Sequence, residues 1–162
     1  MDHVDRILKQ WQGARPDLDT APMGLLGRLG RLHAHLVRET DATLAEHGLN
    51  RASFDVLATL RRADEPHQLS PGDLLAATMV TSGTMTNRID QLEKQGLVAR
   101  IAHPQDGRST LIGLTEKGFD TIDRAVTAHM KNQHRMTEAL TREDFQALDR
   151  LLATYLAAFE GG

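Results

Sequence analysis

A mainly α-helical fold carrying one small β wing is what this sequence predicts, and three observations lead there. Apolar residues recur at three- and four-residue spacing along most of the chain, the mark of helices that bury one side. Between residues 70 and 96 two short patterns of this kind are separated only by a break at residues 78–80. Directly after Gly96, two runs rich in branched apolar residues, 97–102 and 110–114, flank Pro104-Gln105-Asp106-Gly107-Arg108. That is turn chemistry between two strands.

The chain has 162 residues, of which 40% are hydrophobic and 25% charged, enough for one domain over residues 1–162 with a core of its own. It has no cysteine, which excludes a disulfide framework, a thiolate metal site and a thiol redox switch. No apolar run reaches membrane-spanning length, and residues 1–10 are charged and lack the apolar core of a signal peptide. A cytoplasmic chain with no membrane partner is therefore expected.

Taken in order, residues 2–13 place Val4, Ile7, Leu8 and Trp11 on one stripe of an amphipathic helix, and residues 13–22, with Pro16, read as a linker. From residue 23 to 47 the set Leu25, Leu26, Leu29, Leu32, Leu36 and Leu44 keeps helical spacing, and Gly48 supplies the cap. Asn50 or Ser53 starts a helix carrying Phe54, Leu57 and Leu60, which ends in the polar loop 63–68. Ser70, Pro71 and Asp73 form a helix start, because a serine oxygen caps free amides, proline suits the first helical position and a carboxylate complements the positive helix end. This helix should run to about Ala77.

Next, Met85, Ile89 and Leu92 form a buried stripe, which leaves Ser82, Thr84, Thr86, Asn87, Arg88 and Gln91 mostly on the other faces, and Gly96 ends the helix. A two-stranded wing follows, with Arg108 near its tip. Thr115 precedes a helix with Phe119, Ile122, Val126 and Met130, and Thr141 with Asp144 resembles a capping box. In the last helix Phe145, Leu148, Leu151, Leu152, Tyr155, Leu156 and Phe159 cover a wider side than one intramolecular contact needs, so a second chain is expected against it.

Residues 70–115 thus read as a winged helix-turn-helix, a double-stranded DNA reader. Ser82, Thr84, Thr86, Asn87, Arg88 and Gln91 are of the types that reach base edges and phosphates in the major groove. An arginine on a thin ribbon, Arg108, suits the narrow minor groove and its negative potential. Net charge is −3, and residues 67–115 carry four basic and four acidic side chains. DNA affinity must then come from a few placed contacts, doubled by dimerisation, and not from a broad basic field.

The run 82–96, then Leu97-Val98-Ala99-Arg100, Asp106-Gly107-Arg108-Ser109 and Leu114-Thr115-Glu116-Lys117-Gly118 resembles the MarR family of bacterial transcriptional regulators. The resemblance implies a homodimer that binds a pseudo-palindromic operator as a repressor and releases it when a small molecule binds. It makes residues 22–66 core and dimerisation helices, 116–162 C-terminal dimerisation helices, and 2–13 an addition to the family's minimum. Trp11 on that addition, Asp55 in Ser53-Phe54-Asp55-Val56-Leu57, Arg88 in Thr86-Asn87-Arg88-Ile89, and Arg100 in the first wing strand resemble the urate-responsive PecS- and HucR-like branch of the family. In that branch the four matching positions are the ligand-linked set, with the ligand between the dimer helices and the reading unit.

Urate is a flat anion at neutral pH and wants a guanidinium, edge donors and acceptors, and an apolar or aromatic wall. Arg88, Arg100 and Trp11 are of those types. Asp55 is a carboxylate in an otherwise apolar helix, and an arriving anion would repel it or compete for its arginine. Plainer roles stand beside these: Trp11 as a core residue, Asp55 as a cap or salt bridge, Arg88 as a phosphate contact, Arg100 as a solvated strand residue.

The eight histidines are scattered without ligand spacing, so no metal is expected, and no cofactor motif or nucleophile-base pair appears, so an enzyme is not expected either. Two DNA-binding alternatives remain: a MarR regulator of another aromatic acid or drug-like ligand, and a non-switching architectural binder, whose usual strong positive charge this chain lacks. Replacing the wing arginine, Arg108→Ala, is expected to weaken binding across DNA sequences by on the order of 1–3 kcal/mol per chain. An unchanged gel shift would remove the wing from DNA recognition.

Overall fold

The computed structural model describes residues 1–78, 82–103 and 106–161, and of the side chains those of residues 82, 83 and 106–108 are also outside the description. Most of the expected break after Thr78, the turn at Pro104 and Gln105, and the side chains of Ser82 and Arg108 therefore lie outside the described residues. The chain divides into two compact units, Met1–Ala42 and Thr43–Gly162.

In the first unit, Asp2 caps helix α1 (His3–Ala14): its carboxylate accepts the Asp5 N–H at 2.8 Å while the Asp5 carboxylate accepts the Asp2 N–H at 2.7 Å. This reciprocal box satisfies two free amides. Helix α2 (Ala21–Ala45) approaches α1 closely at two glycines, since a methyl on Gly24 would lie 3.0 Å from Leu8 Cδ1 and one on Gly27 would lie 3.5 Å from Val4. Arg28 of α2 then donates to Asp2 at 2.8 Å and to Asp5. The Asp5 amide, and after it the Arg28 guanidinium, hold the Asp2 carboxyl below the usual carboxylate range. The linker is shorter than expected, residues 15–20, because α1 continues through Ala14. Arg15 grips Asp17 there through two hydrogen bonds of 2.8 and 2.6 Å.

In the second unit, Gly48 turns the chain at φ +70°, and Asn50 proves to be the cap of α3 (Arg51–Arg62), accepting the Ser53 N–H at 2.9 Å. The order continues β1 (Gln68–Leu69), α4 (Pro71–Ala77), α5 (Ser82–Lys94), β2 (Val98–His103), β3 (Asp106–Leu114), α6 (Glu116–Thr137) and α7 (Arg142–Glu160). Strand β1 corrects the expectation of a two-stranded wing: Gln68 and Leu69 pair antiparallel with Gly113 and Ile112, so the sheet order is β1-β3-β2. Two residues are too few to show strand periodicity. Their pairing is decided by the free edge of β3, which is distant in sequence.

Leu44, Val56, Leu57, Leu60, Leu74 and Leu92 are fully buried in one cluster that also takes in Ile112 of the sheet and Ile122 of α6. Phe54 and His129 meet across α3 and α6 as tilted rings with centroids 5.0 Å apart, and burial pushes the His129 imidazole pKa down. The fold thus favours the neutral ring, and the stability this contributes is lost as pH falls from the ordinary histidine range through the lowered value. Thr141 caps α7, accepting the Asp144 N–H at 3.1 Å and donating its hydroxyl to the Asp144 carboxylate at 2.7 Å. No described helix is long and apolar enough to cross a membrane.

The tightest backbone approach in the second unit is at Gly118, where an added Cβ would stand 1.8 Å from the Leu97 carbonyl oxygen. Main chain cannot yield as a flexible side chain can. Gly118→Ala is therefore expected to lower stability by about 1–3 kcal/mol or more, read as a reduced midpoint in urea without a change in slope. An unchanged midpoint would mean that α6 moves away from the sheet freely.

Candidate nucleic-acid interface

Helix α4 at both ends and helix α5 at its C-terminal end are chemically marked. The Ser70 hydroxyl oxygen accepts the Asp73 N–H at 3.1 Å and donates to the Asp73 carboxylate at 2.7 Å, with Pro71 at the first helical position. At the other end of α4 the Thr78 hydroxyl returns to the Leu74 carbonyl at 2.8 Å. Helix α5 ends in a Schellman turn: Gly96, at φ +70°, donates to Glu93 O at 2.9 Å and Leu97 donates to Leu92 O at 2.9 Å.

Helix α5 separates its two roles by face. Met85, Ile89 and Leu92 are buried, whereas Thr84, Thr86, Asn87 and Gln91 are exposed. The exposed set carries hydroxyls and amides, and these donate and accept in the patterns that base edges present. Arg88 is different, because it is half-buried and turns back to α3: its Nη1 lies 3.4 Å from the buried Ser53 hydroxyl and donates to Gln91 Oε1 at 3.0 Å. Its Nε is buried and has no hydrogen-bond partner among the described residues.

The four residues expected to be ligand-linked fall in different surroundings. Trp11 is on α1 in the first unit and is 39% exposed. Asp55 is half-buried on α3, two residues from the Ser53 that Arg88 reaches. Arg100 is not a plain solvated strand residue: from β2 it donates to Asp90 at 2.5 Å and to Glu93, both on α5. The Asp90 hydrogen bond, with the charges of both carboxylates, raises the guanidinium pKa above its ordinary value. Because these groups are more than one-third exposed, the pairing contributes only about 0.2–1 kcal/mol per pair. Its consequence is geometric, joining the recognition helix to the first wing strand.

Sequence reasoning missed Asp90, Glu93 and Ser53. The first two are spaced three apart, so they share a helix face, and that spacing was a readable signal for a shared cation. Ser53 gave none, since a serine in the first turn of a helix reads only as a cap. Among the described residues no group of three or more His, Cys, Asp or Glu could hold a metal ion.

Residues 47–109 match a family model described as the MarR family. The chain is 37% identical over 149 residues to the HTH-type transcriptional regulator PecS of Dickeya dadantii, covering 92% of this chain and 90% of that protein. Among solved structures, a mutant MarR from E. coli complexed with operator DNA superimposes with a TM-score of 0.70 at 25% identity, over 90% of this chain and 97% of that one. Bordetella bronchiseptica BpsR, whose DNA binding is regulated by 6-hydroxynicotinic acid, does so with a TM-score of 0.70 at 25% identity, over 85% of this chain and 95% of that one. A capped helix pair, a hydroxyl- and amide-bearing face on its second member, an antiparallel wing and likeness to PecS along nearly the whole length agree with one another: the chain belongs to the MarR family of DNA-binding transcriptional regulators and is not an enzyme.

Proposed function

We propose that the protein is a cytoplasmic, ligand-responsive repressor that binds a pseudo-palindromic operator as a homodimer and is released by a small flat anion, urate or a related purine. The observation that carries this reading is the position of Arg88. It belongs to the recognition helix, yet its guanidinium is turned inward to Ser53, with a buried Nε that has no partner among the described residues. An anion drawn to that guanidinium acts on the helix that reads DNA. Thr84, Thr86, Asn87 and Gln91 would contact the operator, together with Ser82 and Arg108. Trp11, Asp55, Arg88 and Arg100 would form the effector-linked set.

A second reading, in which another aromatic acid is the effector, draws support from Arg100 and from BpsR. Arg100 is already held by Asp90 and Glu93, so an effector that recruits it must displace two carboxylates. The solved neighbour regulated by 6-hydroxynicotinic acid shows that a different flat aromatic serves one relative. The homodimer draws support from α7, on which no residue is buried and Phe145, Leu151, Leu156 and Phe159 stand exposed. Light scattering at micromolar concentration should give twice the 17.9 kDa chain mass. A stable monomer would overturn the dimer.

A gel-shift titration with urate, xanthine and salicylate discriminates the effectors directly. Trp11 is the sole tryptophan, so urate should quench its fluorescence, corrected for absorption by urate, over the concentrations that release DNA. Trp11→Phe should keep DNA affinity and weaken the response by removing the indole N–H donor. Asp55→Asn should leave urate bound while blunting release, because the charge conflict on α3 is gone. Absent quenching, or release from Asp55→Asn as ready as from the unmodified chain, would leave the urate assignment without support.

A further inference from the structure

We propose that Lys117 is a positioning residue for DNA recognition, one that completes the C-terminal cap of the recognition helix α5 from the first turn of α6 and so fixes α5 and the wing as one reading surface. The Schellman turn satisfies the Leu92 and Glu93 carbonyls but leaves those of Gln95 and Gly96 beyond the helix end. Lys117 Nζ donates to Gln95 O at 2.8 Å, and the Thr115 hydroxyl donates to Gly96 O at 2.7 Å. The Thr115 N–H closes the set by donating to Leu97 O at 3.2 Å.

The placement of the lysine is itself informative. Lys117 is the second residue of α6, where a cation opposes that helix's positive N-terminal end. The same ammonium stands at the negative C-terminal end of α5, where a cation is stabilising. Its electrostatic position is therefore unfavourable for the helix that carries it and favourable for the helix it caps. The Thr115 oxygen does both at once, since it also accepts the Gly118 N–H at 2.9 Å to cap α6. The chain leaves Leu97 directly into β2, so any tilt of the α5 end relative to α6 is also a tilt of the wing.

Lys117 is exposed, so Lys117→Met should fold. Affinity is measured at several salt concentrations on a duplex selected by the unmodified chain from a random pool, and amide exchange is followed at Gly96 and Leu97. The methionine variant is expected to lose about three- to tenfold in DNA affinity at every salt concentration, with the slope of log affinity against log salt unchanged. Exchange at Gly96 and Leu97 should quicken by a similar factor, and Lys117→Arg, which keeps a cationic donor, should restore both. A slope shallower by about one unit would make Lys117 a phosphate contact and overturn the inference. Unchanged affinity or unchanged exchange would also overturn it. Should the methionine variant melt early, Lys117→Gln carries the same comparison. The inference rests on the operator-binding reading, and because the exchange measurement uses no DNA, failure of the cap is distinguished from failure of that reading.

Discussion

The second unit depends on one close meeting of backbones, that of Leu97 with the start of α6. Leu97 closes the Schellman turn of the recognition helix, opens the first wing strand and offers its carbonyl to Thr115. Gly118 comes so near that no side-chain carbon fits between them. Helix, wing and the long α6 are thereby fixed at one point by hydrogen bonds and contact distance. Hydrogen bonds to the Leu92, Glu93, Gln95, Gly96 and Leu97 carbonyls, together with the close packing at Gly118, oppose sliding there.

That junction gives the two arginines of the reading unit distinct consequences. Arg100 adds a second tie between α5 and β2, one turn further from the helix end, through Asp90 and Glu93. Arg88 faces the other way, toward the start of α3, and so links the recognition helix to α3. A disturbance at Arg88 is thus felt by a helix whose far end is anchored. A rod held at one end and pushed elsewhere can only tilt or bend, and either moves the exposed side chains of Thr84, Thr86, Asn87 and Gln91.

The neutral charge balance of residues 67–115 is consistent with this economy. Three of the four basic residues in that span are Arg88, Arg100 and Lys94, and two of these point at protein partners within the unit. Little fixed positive charge is left for indiscriminate attraction to phosphate. Recognition must rest on the geometry of polar side chains, and geometry is what the caps and ties preserve.

Much of this was legible in the chain. The helix at 70–77 was readable because Ser70, Pro71 and Asp73 are local chemical marks, and the two faces of α5 because a 3.6-residue period sorts apolar from polar positions whatever lies around them. Gly96 and Gly48 announced their turns because only glycine adopts positive φ without strain. What the sequence could not give depends on pairs of groups far apart along the chain. Strand β1 exists because β3 leaves an edge open beside it, and its two residues have no period of their own. The partners of Arg88 and Arg100, and the lysine of α6 that caps α5, are likewise settled by packing. Local order is written in neighbouring residues, whereas the destination of a long charged side chain is set by whichever oxygen acceptor folding brings within hydrogen-bond reach of it.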